Sequence, residues 1–99
     1  MAKKEIKWSL KAIHDKIDIL EYWIERNKSK TYSIKLNKLF DKSIITLSDY
    51  PEQGKKTDYK NIRIKIVRHY LIFYQIRDEF IEIVRIWDAR RNPKKIKIK

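Results

Sequence analysis

Three apolar segments stand so close together in residues 60–87 that only turns fit between them: KNIRIKIVR at 60–68, HYLIFYQI at 69–76 and FIEIVRIW at 80–87. The first alternates strictly. Ile62, Ile64 and Ile66 fall on one side and Arg63, Lys65 and Val67 on the other, the period of a half-buried strand. The other two are more continuously apolar, which suits central strands, and the RDE between them is short enough for a hairpin turn. These spacings predict a three-stranded antiparallel sheet.

The N-terminal half has a different period. Ile6 and Trp8 alternate with lysines over residues 4–9, a short strand ending at Ser9, which is placed to cap a helix. From Leu10 to Arg26, Ile13, Ile17, Leu20 and Ile24 recur at helical spacing, with Trp23 widening the stripe. After a polar break at Asn27 to Ser29, Leu36, Leu39, Phe40, Ile44 and Leu47 repeat that spacing until Pro51. Two such helices with a short link read as an antiparallel hairpin. The stretch YPEQGKKTD, which holds the only glycine, reads as a loop leading into the sheet. The expected fold is α+β in the order βααβββ: an N-terminal strand, a helical hairpin and a three-stranded antiparallel sheet. The helices pack on one sheet face, and the other face and its rim are left to basic residues. A single domain is expected over residues 1–99, with a basic tail at 90–99.

A chain of 99 residues buries only about 60 to 65% of the surface its unfolded form exposes, so any site is a surface or a shallow groove. The net charge is +12, and it is uneven. Residues 1–58 hold 13 basic and 9 acidic side chains, residues 59–99 hold 12 and 4. Such a field attracts phosphate backbones, anionic membranes or an acidic protein. No stretch approaches the roughly 18 apolar residues of a membrane span, and MAKKEIKW lacks the apolar core of a signal peptide, so a cytoplasmic protein without membrane contact is expected. The absence of cysteine excludes disulfides, zinc ribbons and thiol catalysis. His14 and His69 are too isolated to build a structural metal site, and neither metal nor cofactor is expected.

Arg63 and Lys65 lie two residues apart on a strand, about 7 Å, a spacing that can straddle a phosphate. Arg85 interrupts the apolar run of a central strand and shares its parity with Trp87, so it needs a partner or a ligand. Arg90 and Arg91 follow the last strand, and Pro93 limits how far the chain wanders before Lys94 and Lys95. Arginine offers phosphate planar, paired donors. The competing reading is that Asp88 pairs with one of these arginines to fix the strand exit. His14 and Asp18 share a helix side as a surface contact, whereas His69 and Tyr70, beside a turn, are better placed to move a proton, with simple turn chemistry as the equal alternative for His69.

Over about 90 residues the chain resembles the RelE/ParE superfamily of toxins from bacterial type II toxin-antitoxin modules. The features that carry the resemblance are the strand into KAIHDKIDILEYWIERN, the second helix ending LSDYPEQGK, the pair NIRIKIVRHYLIFYQI, and IEIVRIWDARRNP. The resemblance implies an acidic antitoxin partner whose apolar segment folds across the toxin, giving a hetero-oligomer. It also implies one of two targets: ribosome-bound mRNA, cleaved as by an endoribonuclease, or DNA gyrase, inhibited without enzymatic activity. In the nuclease branch, Arg63, Lys65 and Arg90 or Arg91 match the catalytic cations; Arg68, His69, Arg85, Lys94 and Lys95 are expected as nucleic-acid contacts from their place among the basic residues. Two positions depart from that branch. Leu71 stands where an arginine is common, and no Tyr or His follows Arg91. Asp88 stands where many ParE-type members have His. The cluster of candidate cations puts ribosome-dependent mRNA cleavage first, gyrase inhibition second and a non-toxic basic nucleic-acid binding module third.

Overall fold

The computed structural model describes residues 3–90. The chain runs β1 (Glu5–Trp8), α1 (Leu10–Asn27), α2 (Thr31–Asp49), a 3-10 turn (Pro51–Gln53), β2 (Lys55–Lys56), β3 (Ile62–Val67), β4 (Tyr70–Ile76) and β5 (Phe80–Asp88). The order of helices and long strands is the expected one, but the sheet is not three antiparallel strands. It has five, ordered β1-β5-β4-β3-β2, and it is mixed. β1 pairs in parallel with the first half of β5, from Glu5 against Phe80 to Trp8 against Ile83. The short β2 arises inside the segment expected to be a loop and pairs with Arg63 and Ile64. Isolated strand patterns specify neither neighbour. The parallel pair needs a long crossover to bring β1 beside β5.

Ser9 sets how α1 leaves the sheet. Its Oγ accepts the Ala12 N–H at 3.0 Å as an N-cap and donates to the Val84 carbonyl at 2.8 Å, while its N–H reaches the Ile83 carbonyl at 3.0 Å. Anchored there, α1 buries Ala12 and packs Ile19, Leu20 and Trp23. Ile13 and Ile17, expected in the core, remain 38 and 46% exposed. The small Ala12 allows close approach to the sheet, and the helix is turned accordingly. α2 follows the expected stripe: Leu36, Phe40, Ile44 and Leu47 are buried, and Leu39 packs against them. Each such side chain contributes about 1.5 to 3 kcal/mol relative to leaving it exposed.

The sheet has two apolar faces. Against the helices lie Val67, Tyr70, Ile72, Tyr74, Ile81, Ile83 and Ile86; on the opposite face a second cluster gathers Ile62, Phe73, Val84 and Trp87 with Ile64 and Leu71. A bulge in β5 makes this possible. Tyr74 pairs with Ile83 and Phe73 with Arg85, leaving Val84 as the extra residue, so the helix-facing parity changes from Ile81 and Ile83 to Ile86. The expectation that the face away from the helices is left to basic residues is therefore corrected. Arg63 pairs with Tyr74 and Lys65 with Ile72, which puts both cations on the helix side of the sheet. The isoleucines of β3 form part of the other, apolar face.

Candidate functional site

The candidate cations fall into two groups, separated by core. Arg63 and Lys65 stand over the loop that follows α2. The Arg63 guanidinium donates to the Glu52 carbonyl at 3.1 Å and the Gly54 carbonyl at 2.9 Å, and Lys65 Nζ donates to Gln53 Oε1 at 2.6 Å. Tyr74 holds the same loop from within: its hydroxyl donates to the Pro51 carbonyl at 2.7 Å and accepts the Gly54 N–H at 2.9 Å. Gly54 permits this close approach. A Cβ there would lie 2.5 Å from the Tyr74 hydroxyl and 2.7 Å from the Ile64 carbonyl.

Arg85 and Arg90 line a groove of about 690 Å³ between α1 and the end of β5. Past Trp8, β1 no longer covers the edge of β5, and a side chain from α1 takes its place. Asp15 accepts from Arg85 Nε at 2.7 Å and Nη2 at 3.0 Å, and its carboxylate also accepts the Ile86 N–H at 3.0 Å. The Arg85 pKa is raised, first by this hydrogen bond, against the opposing effect of burial. Arg85 also lies 5.8 Å from the Trp87 ring. At the strand exit Asp88 accepts from Arg90 Nε at 3.0 Å, Nη2 at 2.8 Å and the backbone N–H at 2.9 Å. The Arg90 side chain holds the Asp88 pKa below its ordinary value, and Asp88 raises that of Arg90.

Tyr70, on the same rim, is buried, and its hydroxyl accepts the Trp23 indole N–H at 2.7 Å. Burial pushes its pKa up. Arg68 and His69 form the exposed two-residue turn between β3 and β4, with Arg68 at φ 54°. Arg91, Lys94 and Lys95 lie outside the described residues. His14 and Asp18 stay exposed on α1.

The geometry thus brings Arg85 and Arg90 into one groove and leaves Arg63 and Lys65 apart from it. In register, Ile72 and Ile86, both buried, lie between Lys65 and that groove. Asp15 is the residue the sequence reading missed. Its signal was present: a carboxylate three residues after Ala12 and four before Ile19, on the packed side of α1, requires a cation. Among the described residues no cluster of three His, Cys, Asp or Glu could hold a metal ion, and no helix is long and apolar enough to cross a membrane.

A mixed five-stranded sheet with a helical hairpin on one face and cations at its rim defines a small α+β protein. Residues 6–93 match the family model described as ParE toxin of type II toxin-antitoxin system, parDE. The chain belongs to this family. Among solved structures, one described as the chromosomal ParDE TA system from P. aeruginosa has the same fold, with a TM-score of 0.75 at 17% identity over 85% of this chain and 94% of that chain. No match was found among curated proteins. Membership of a toxin-antitoxin family implies an antitoxin partner.

Proposed function

We propose that this chain is a ParE-type toxin that inhibits DNA gyrase by binding it, rather than a nuclease that cuts mRNA on the ribosome. One observation carries the reading. The four described cations that phosphodiester cleavage would use are each engaged by protein oxygens: Arg63 by two loop carbonyls, Lys65 by Gln53, Arg85 by Asp15 and Arg90 by Asp88. Stabilising a phosphorane requires donors preorganised on one point. These donors are instead spent on a loop, a helix and a strand exit. Proton transfer meets a similar obstacle, since Tyr70 is buried with its pKa raised and its hydroxyl already holds Trp23. The family match supports the same choice.

On this reading the toxin works as a cationic, rigid binding surface, and an acidic antitoxin neutralises it by covering that surface. The test uses purified protein in two assays. Block of gyrase supercoiling, with intact mRNA on translating ribosomes, is the expected result. New ribosome-dependent mRNA ends with unaffected supercoiling would return the nuclease to first place. Unimpaired growth on induction of soluble protein would leave a non-toxic nucleic-acid binding module.

A further inference from the structure

The outer face of the helical hairpin is apolar along its middle and exposed. Ser33 Oγ donates to the Leu20 carbonyl at 2.6 Å and Lys16 Nζ to Asp41 Oδ1 at 3.5 Å, which fixes α1 against α2 and turns one side of each helix to solvent. On that side Leu10, Ile13 and Ile17 of α1 and Ile34 and Ile45 of α2 are between 38 and 76% exposed. Their helical spacing keeps each set on one stripe. Opposite charges edge the two stripes: Glu21 and Glu25 continue that of α1, and Lys35, Lys38 and Lys42 border that of α2. Among the described residues, Glu21 and these three lysines form no ion pair. The hairpin also differs electrically from the rest of the chain. α1 carries three basic and four acidic side chains and α2 three and two, so the two helices together are neutral in a chain of net charge +12.

We propose that this face binds the same face of a second copy of the chain, as an antiparallel four-helix packing about a two-fold axis parallel to the helices. Neutrality selects the occupant. An acidic partner is drawn first to the cationic remainder of the molecule, whereas two strongly basic chains meet least repulsion where they approach hairpin to hairpin. The charge pattern is self-complementary as well. A half-turn about that axis lays α1 on α2 of the second copy, running in opposite directions, with the apolar stripes meeting along the seam. Leu20 and Ser33 share a level, so Glu21 of one copy stands within about one helical turn of Lys35 of the other, with Lys38 next along, and the symmetry makes this contact twice. Two helices about 27 Å long and about 10 Å apart offer about 500 Å² on each copy, the lower end of what a specific pair uses, so a reversible dimer with a dissociation constant of about 10 to 100 μM is expected. The pairing needs only the hairpin and does not rest on the choice between gyrase and mRNA.

The experiment is sedimentation of the full chain from low-micromolar to near-millimolar concentration. A concentration-dependent dimer is expected for the wild type, and Ile17→Asp with Ile45→Asp should abolish it. Glu21→Lys, and separately Lys35→Glu with Lys38→Glu, should each weaken it about tenfold, because a reversed charge counts twice in a two-fold interface. Mixing those two charge variants should restore a dimer, since each then meets its opposite at both rims. All of these positions are exposed, so thermal melts of the variants should match the wild type. A wild type that stays monomeric throughout overturns the proposal, as does a dimer indifferent to the aspartate or charge variants, or a mixture that fails to associate. So does a monomeric chain whose hairpin instead binds an amphipathic Glu/Leu helical peptide, because the face then belongs to an acidic partner.

Discussion

Asp15 on α1 and Arg85 on β5, seventy residues apart, form a two-point ion pair at 2.7 and 3.0 Å, and the same carboxylate takes the Ile86 N–H, which lies beyond the end of the β1 pairing. Asp15 therefore substitutes for a neighbouring strand at an open sheet edge. Its side chain and that of Arg85 are only 16 and 15% exposed, so little water replaces either partner. Asp15→Ala is expected to destabilise the protein by about 2 to 4 kcal/mol in urea unfolding, because it removes a two-point carboxylate contact from Arg85 and the acceptor of the Ile86 N–H together. Asp15→Asn keeps an acceptor for Ile86 and should fall between. An alanine variant as stable as the wild type would show the pair to be incidental.

The loop after α2 is held from two directions, and its grip can be tested. Tyr74→Phe leaves the Pro51 carbonyl and Gly54 N–H without their partner and is expected to cost about 1 to 3 kcal/mol. Gly54→Ala drives a methyl against the Ile64 carbonyl and the Tyr74 hydroxyl, with a loss of about 1 to 3 kcal/mol expected from overpacking. Thermal melts of both variants check this.

Arg63 and Lys65 should separate in the same assay. Arg63 bonds two backbone carbonyls, so Arg63→Ala is expected to lose about 1 kcal/mol, whereas Lys65→Ala, which gives up one exposed contact with Gln53, should stay within about 0.5 kcal/mol. Equal losses would mean that the two carbonyl contacts of Arg63 do not hold the loop.

Asp88 confers a pH dependence whose sign follows from its partner. Arg90 lowers its pKa in the folded state, so the unfolded chain takes up the proton first as pH falls. The stabilisation is present above the ordinary value of 3.8 and is lost as pH drops through the lower, folded value. Urea midpoints of the wild type and Asp88→Asn should converge on going from neutral pH to about pH 3, well into the carboxylate range. A constant gap between them would mean that the pair does not stabilise the fold.

Much of the architecture was legible along the chain because it depends on local period. Alternation in β3, the helical stripe of α2 and the Ser9 cap need no distant partner, and each appears where its residues indicate. The order of helices and long strands follows for the same reason. Asp88 with Arg90 was legible as one of two readings, since the partners are two residues apart.

Tertiary structure decided what period cannot encode. Both sides of β3 to β5 carry large side chains, so alternation separates Ile62 from Arg63 without saying which side meets the helices. The Val84 bulge reverses the helix-facing parity halfway along β5, and α1 turns Ala12 rather than Ile13 inward because Ser9 is tied to Ile83 and Val84. The candidate cations changed meaning in the same way. By itself the sequence determined that this chain is basic, α+β in order and rich in arginine at the strand ends; only the packed chain, by bringing Asp15 to Arg85 and the Pro51–Gly54 loop to Arg63, decided which charges already have partners, because an ion pair forms between neighbours in space and residue spacing does not record them.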